Sequence, residues 1–125
     1  MLLDTHVLQW LAHEPEKLSR TAASTLDEAD ELAVAAISWF ELALLARRGR
    51  ITHRTPIRSW LDRLAGEVLT IGITPAIADT AASLRDPFPR DPADRLIYAT
   101  AIEHGLQLVT KDNRMLRQPG SVAVW

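Results

Sequence analysis

Short apolar runs alternate with segments of helical periodicity along this chain, and that alternation constrains its fold more than any other feature. The runs that we interpret as strands cover residues 2–4, 32–37, 68–73, 107–110 and 122–125. Strands that alternate with helices pair in parallel, because each crossover helix returns the chain to the same end of the sheet. The sequence therefore predicts an α/β fold with a mainly parallel central sheet. Its 125 residues suit one domain spanning residues 1–125.

Helix-capping residue types mark where the intervening helices begin. A short helix is predicted directly after the first strand, and others are predicted over residues 19–29 and 38–49. Three more are predicted to begin at the cap-and-proline pairs 55–56, 74–75 and 91–92. No repeat, linker or low-complexity segment divides the chain.

Composition excludes several classes of protein. The absence of cysteine excludes disulfides and thiolate metal sites. A net charge of −2 excludes a generally basic nucleic-acid binder, although a local basic patch remains compatible with it. The N-terminus lacks the features of a signal peptide, and no apolar run approaches the roughly 18 residues of a membrane span. We therefore expect a cytoplasmic protein that does not contact the membrane.

Four acidic residues stand at the ends of separate predicted elements. Asp4, Glu41 and Asp112 follow predicted strands, and Asp94 lies in the first turn of a predicted helix. In parallel sheets, the carboxyl ends of the strands share one edge, so the four carboxylates are expected to converge there. Two like charges about 4 Å apart repel by roughly 1 kcal/mol in water and roughly 4 kcal/mol at an effective dielectric constant of 20. Such a pocket favours a hard cation, Mg²⁺ or Mn²⁺, which would activate water for phosphodiester hydrolysis.

Each acid also has a simpler structural interpretation. Ser38 and Glu41 fit a capping box, in which Glu41 is the third residue of the helix. Asp91 fits a helix N-cap, and Asp94 would then occupy the third helical position, where the helix dipole favours a negative charge. Asp112 could cap the turn before Met115, and Asp4 could end its strand in a simple turn. It is the set of four at one sheet edge that favours a functional interpretation.

Basic and aromatic residues indicate candidate contact surfaces. Arg95, Lys111 and Arg114 flank the later acids and are predicted to hold phosphates. The basic stretch from residue 47 to 58 is a candidate nucleic-acid track or partner contact. Solvated helix faces are the alternative for all of these residues. Among the four tryptophans, Trp39 is the leading candidate to line a groove for a partner helix.

The motifs around the four acids together resemble the PIN-domain family and, within it, the VapC-type ribonuclease toxins. The matching segments are 2–6 (LLDTH), 38–42 (SWFEL), 91–97 (DPADRLI) and 108–112 (LVTKD). The resemblance implies a three-layer α/β/α sandwich and a Mg²⁺-dependent endoribonuclease that Mn²⁺ can also support. It assigns the catalytic and metal-binding positions to Asp4, Glu41, Asp94 and Asp112.

The resemblance has further implications for supporting residues and partners. Thr5 and Thr110 match the small hydroxyl positions beside the acids, and Asp91 is expected to orient a group near the metal. The expected partners are an RNA substrate, a small VapB-like antitoxin and a second copy of the chain. The alternatives are a catalytically inactive PIN-like module that binds protein or RNA, and a structure-specific DNA nuclease.

Overall fold

A computed structural model describes residues 1–51 and 54–125, which form a five-stranded sheet flanked by helices. The strands are β1 (Leu2–Leu3), β2 (Ala33–Ala35), β3 (Leu69–Ile71), β4 (Leu108–Val109) and β5 (Ala123–Val124). The helices are α1 (Thr5–His13), α2 (Arg20–Asp27), α3 (Ile37–Arg47), α4 (Ile57–Ala65), α5 (Pro75–Ser83), α6 (Pro92–Glu103) and α7 (Asn113–Leu116). A 3₁₀ turn at Pro15–Lys17 follows α1.

The sheet is parallel throughout, with the strand order β3-β2-β1-β4-β5. The chain builds outwards from β1 to β3 on one side and then returns to place β4 and β5 on the other. The order therefore reverses between β1 and β4, and in open parallel sheets this reversal leaves a crevice at the carboxyl ends of the strands. Asp4 directly follows β1, and Asp112 lies three residues after β4.

The sheet has a hydrophobic core on each face, which makes the fold a three-layer α/β/α sandwich. Neighbouring residues of a strand point to opposite faces. Leu3, Val34 and Val109 pack against buried side chains of α1 to α4. Leu2 and Leu108 belong to a second core, which includes buried residues of α6 and α7. The predicted fold class is confirmed.

Most of the predicted elements are confirmed, with bounds shifted by a few residues. The Ser19 side chain caps α2 by accepting from the Ala22 amide at 3.0 Å, and the Thr74 hydroxyl caps α5 by accepting from the Ile77 amide at 3.2 Å. Two short elements were not predicted, α7 and the 3₁₀ turn. Each spans a single turn or less, which is too short to produce a helical period in the sequence.

The predicted capping box at the start of α3 is wrong. The helix begins at Ile37, and its N-cap is Ala36, which makes no side-chain capping bond. Glu41 is therefore the fifth residue of α3 rather than the third, and Ser38 is buried inside the first turn. Likewise, α4 begins at Ile57, one residue later than predicted.

No helix formed by the described residues is long and apolar enough to cross a membrane.

We predict that two truncations on α3 change the free energy of unfolding by very different amounts. Leu42 is fully buried, whereas Phe40 is 60% exposed. Leu42→Ala should lower the free energy of unfolding by about 2–5 kcal/mol, because it removes buried methyl groups and leaves a cavity. Phe40→Ala should change it by about 0.5 kcal/mol or less. Urea denaturation at low protein concentration measures both values. A comparable loss for Phe40→Ala would contradict its exposure in the single chain.

Candidate metal centre

The four predicted acids line one cavity of about 500 Å³ at the carboxyl edge of the sheet. The cavity is lined by Asp4, His6, Trp10, Glu41, Asp91, Asp94, Lys111, Asp112 and Arg114. These residues come from distant parts of the sequence, and the strand reversal between β1 and β4 is what brings them together. The cavity therefore combines five carboxylates with the side chains of a lysine and an arginine, an imidazole ring and an indole ring.

Local structure positions each of the four acids at the end of an element or close to one. Asp4 is the N-cap of α1, where its side chain accepts from the Thr5 amide at 2.7 Å. Asp112 is the N-cap of α7 and accepts from the Arg114 amide at 2.8 Å. Asp94 is the third residue of α6, and Glu41 is the fifth residue of α3. Contrary to the expectation of a simple strand end, Asp4 thus begins a helix, and it caps that helix while remaining 8% exposed.

Two buried hydroxyl groups hold the carboxylates in place. The Thr110 hydroxyl donates to Asp4 Oδ2 at 2.6 Å and accepts from the Asp112 amide at 3.0 Å. The Thr5 hydroxyl donates to Glu41 Oε1 at 2.5 Å, and its oxygen lies 3.1 Å from Ser38 Oγ. Thr5 and Thr110 are 1% and 0% exposed, so these bonds form out of water and restrict the carboxylates to defined orientations.

Burial and mutual repulsion make three of the acids hard to ionise. Burial raises the pKa of Asp4 and of Glu41, and in both cases hydrogen bonds to threonine oppose the shift. The pKa of Asp94 is raised to about 7, first by burial and then by the charges of Asp91, Asp4, Asp112 and Glu41. A bound cation that neutralises this repulsion favours the charged form of all three carboxylates.

Asp112 differs because Arg114 lies beside it. Arg114 Nη2 lies 2.7 Å from Asp112 Oδ2 and 3.5 Å from Asp94 Oδ2. Hydrogen bonding from the guanidinium is the main reason that the pKa of Asp112 is lowered. A single arginine therefore spans two of the four acids and offsets part of their charge.

The donor set fits a hard divalent cation. It consists of carboxylate oxygens alone, the ligand type that Mg²⁺ and Mn²⁺ prefer. Among the described residues, no three acidic or histidine side chains are close enough together to coordinate one ion directly. Mg²⁺ commonly retains several waters and contacts only one or two carboxylates. The cavity suits that form of binding better than an all-protein cage.

The remaining predicted site residues divide between the cavity and the body of the fold. Asp91 lines the cavity and also caps α6, accepting from the Ala93 amide at 2.9 Å and the Asp94 amide at 3.2 Å. Arg95 is outside the cavity lining, and its guanidinium donates to the carbonyl oxygens of Ala81, Leu84 and Pro89. These bonds hold α6 against the segment before it and keep the Arg95 guanidinium away from the cavity.

The other surfaces singled out in the sequence lie away from the cavity lining. Trp39, the predicted groove residue, donates from Nε1 to the Thr70 hydroxyl at 3.0 Å, across to β3. Residues 52 and 53 of the basic stretch lie outside the described residues, whereas Arg47, Arg48 and Arg50 are exposed at the end of α3. The role of that stretch stays a prediction.

Two residues that line the cavity were not among the site residues predicted from the sequence. They are His6 and Trp10. The sequence contained a signal for both residues. His6 and Trp10 are four positions apart and share one face of a helix that begins directly after Asp4, so they are expected to lie near that acid.

Comparisons with known proteins agree with this geometry. Residues 1–120 match the family model described as the PIN domain. The chain is 58% identical over a 127-residue alignment to Ribonuclease VapC22 of Mycobacterium tuberculosis, covering 100% of this chain and 98% of that protein.

Two solved structures share the fold at low sequence identity. One is a toxin–antitoxin complex from Klebsiella pneumoniae (TM-score 0.71, 23% identity, covering 99% of this chain and 95% of that one). The other is VapBC2 from Rickettsia felis bound to a DNA fragment from its promoter (TM-score 0.72, 18% identity, covering 98% and 96%). At these identities, the likeness establishes the fold.

We predict that Asp94→Asn stabilises the metal-free protein at alkaline pH. The pKa of this carboxyl is about 7 in the folded chain against an ordinary value of 3.8, so the folded chain binds the proton more tightly than the unfolded chain does. Its contribution to stability therefore falls as pH rises from about 4 to 7 and is constant above that. In EDTA, Asp94→Asn should melt higher than wild type at pH 8, and the difference should shrink towards pH 5.

The control for this prediction is Asp79→Asn, which changes an exposed residue of α5. Melting curves across the pH range should match wild type for that variant. A lower melting temperature for Asp94→Asn at pH 8 would mean that its charge stabilises the helix more than burial and repulsion destabilise it.

We also predict that Thr110→Val lowers the free energy of unfolding by about 1–3 kcal/mol at pH 8, because Asp4 Oδ2 and the Asp112 amide both lose the hydroxyl to which they bond. Valine preserves the shape of threonine, so the loss would measure the hydroxyl. Thr110→Ser keeps that hydroxyl and should lose less. Chemical denaturation of both variants tests the prediction, and equal losses would contradict it.

Proposed function

We propose a function from the premise that this chain belongs to the PIN domain family: it is a metal-dependent endoribonuclease and the toxin of a toxin–antitoxin pair. The close similarity to a protein named as a VapC ribonuclease, over the full length of both chains, supports this function. The observation that carries the chemistry is the convergence of four acids from four parts of the chain on one cavity.

In this proposal, Asp4, Glu41, Asp94 and Asp112 bind the cation, one or two of them directly and the others through its waters, and they constitute the catalytic acids. Mg²⁺ is the proposed ion, with Mn²⁺ as a substitute, because the site offers oxygen ligands alone. When bound, such an ion activates water and stabilises the charge on the phosphate. Buried Asp4 and half-buried Glu41 remain fixed by Thr110 and Thr5, so the carboxylates need little rearrangement to receive the ion.

Arg114 and Lys111 are the proposed phosphate contacts. Both line the cavity that contains the acids, and both carry exposed basic groups. Arg114 bonds to Asp112 and approaches Asp94, so it must move or share those carboxylates when a cation binds. Once released, its guanidinium can donate two parallel hydrogen bonds to a phosphate. Asp91 is proposed to support the site by capping α6, which carries Asp94.

The proposed partners are RNA as substrate, a VapB-like antitoxin and a second copy of the chain. This chain shares its fold with the toxin–antitoxin complex from Klebsiella pneumoniae, which supports the antitoxin partner. We propose that residues 1–125 form one nuclease domain, because β1 near the N-terminus pairs directly with β4. We also propose that the protein acts in the cytoplasm, on RNA.

We predict that Asp4→Asn and Asp94→Asn each lower the rate of RNA cleavage in Mg²⁺ by more than about 100-fold. Partners that only orient a metal ligand typically contribute 10–100-fold, and these residues are proposed to hold the hydrated ion itself. Gel assays on single-stranded RNA measure the rate, and Asp79→Asn serves as the matched control. A wild-type rate for either site variant would contradict the assignment.

Two further measurements separate the alternatives. Calorimetric titration with Mn²⁺ should give heat for wild type and much less for Asp94→Asn, whereas an inactive module without a metal site would give none for either. Parallel digestion of RNA and DNA of the same sequence should show cleavage of RNA. Preferential cleavage of DNA would contradict the proposed substrate.

A further inference from the structure

One wall of the cavity consists of aromatic rings and a lysine side chain. We define this aromatic wall as His6, Trp10, Lys111 and Trp125. The ring centroids of Trp10 and Trp125 are 5.7 Å apart in an edge-on arrangement, and those of His6 and Trp10 are 5.9 Å apart. Lys111 Nζ lies 5.7 Å from the Trp10 centroid and 6.0 Å from the Trp125 centroid. Three of the four residues line the cavity that contains the acids.

Two parts of the chain, α1 and the segment after β4, hold the aromatic wall beside the acids of the candidate metal centre. Asp4 caps α1, and Trp10 follows it six residues later, so the Trp10 Cα atom lies roughly 9 Å further along the helix axis. Lys111 stands between Thr110, whose hydroxyl binds Asp4, and Asp112. The position of the wall relative to the acids is therefore fixed by backbone and buried hydrogen bonds rather than by flexible loops.

The side chains of the wall suit one particular kind of group. An indole that faces a cavity offers a flat apolar surface, and an ammonium group over one side of the ring attracts a negative charge. A nucleotide carries a flat base and a phosphate close together. The offset from Asp4 means that a nucleotide beside the scissile phosphate, rather than that phosphate itself, would reach the rings. A base can stack there only if it is unpaired.

We propose that the aromatic wall is a subsite for one unpaired nucleotide adjacent to the bond that is cut, with its base stacked on Trp10 and its phosphate held by Lys111. Trp125 is a positioning residue that supports both groups. This inference rests on the proposed function and deepens it, since it makes the substrate single-stranded at that nucleotide. Duplex RNA would be excluded from the subsite because its bases are already stacked and paired.

The test combines a change in the protein with a change in the RNA. Binding of a single-stranded oligoribonucleotide is measured by fluorescence anisotropy in EDTA and low salt, with the full chain carrying Asp94→Asn to reduce repulsion. A second set of oligonucleotides has one base removed at each position in turn. Removing the base that stacks on Trp10 should weaken binding by about fivefold or more.

The decisive comparison is between Trp10→Leu and Trp39→Leu in the same background. Trp10→Leu should weaken binding of the intact RNA by a similar factor and should lose all sensitivity to the missing base. Trp39→Leu changes a half-buried indole outside the cavity lining and should keep that sensitivity. The proposal is overturned if no single base matters, or if Trp10→Leu remains as sensitive as its parent.

Lys111→Met provides an independent test should Trp10→Leu fail to fold. Losing one phosphate contact on a single strand should reduce the slope of log affinity against log salt by about 0.7. The base-dependent quenching of tryptophan fluorescence should persist in that variant. An unchanged salt slope would overturn the phosphate contact.

The subsite and the nuclease assignment fail in different ways. Base-dependent binding through Trp10, in a protein that does not cleave RNA in Mg²⁺, supports the subsite and contradicts the nuclease. Cleavage by the wild-type chain, combined with binding that is indifferent to every base, overturns the subsite and leaves the nuclease intact.

Discussion

Carboxylates gathered at the carboxyl edge of a parallel sheet repel one another, and the architecture of this protein both creates and contains that repulsion. Asp4 is nearly buried, and the pKa of Asp94 is raised to about 7 by burial and by four neighbouring acids. A fold selected for stability alone would gain little from such a cluster. The repulsion favours a bound cation, which connects the unfavourable electrostatics of the chain to the chemistry of phosphodiester hydrolysis.

Three kinds of contact lower the electrostatic cost of the acidic cluster when no cation is bound. Buried threonine hydroxyls donate to Asp4 and Glu41, and Arg114 offsets charge on Asp112 and Asp94. At two helix N-termini, one backbone amide donates to Asp4 and one to Asp112. These contacts also set the directions in which the carboxylate oxygens point. The same groups therefore reduce the cost of the site and define its geometry.

Sequence reasoning predicted the strands, the main helices and the edge at which the acids meet, because those features depend on periodicity and on local capping. It was wrong about the start of α3. Ser38 and Glu41 have the spacing of a capping box, yet the Glu41 carboxylate bonds to Thr5, which is 36 positions earlier in the chain. It also predicted an RNA contact for Arg95, whose guanidinium instead bonds to three backbone carbonyl groups. In both cases, a contact between distant segments decided the role of the side chain.

The amino-acid sequence by itself determined the parallel α/β class and the positions of the four acids. It also determined the resemblance of their motifs to the PIN-domain family. Each of these results depends on local sequence pattern or on the order of residues along the chain. Only the tertiary structure decided which atoms meet: Thr110 with Asp4 across 106 positions, Arg114 between two acids, and Lys111 beside Trp10 and Trp125. The physical reason is that these contacts depend on the strand order. The reversal between β1 and β4 places the two ends of the chain side by side, and no local signal in the sequence specifies that pairing.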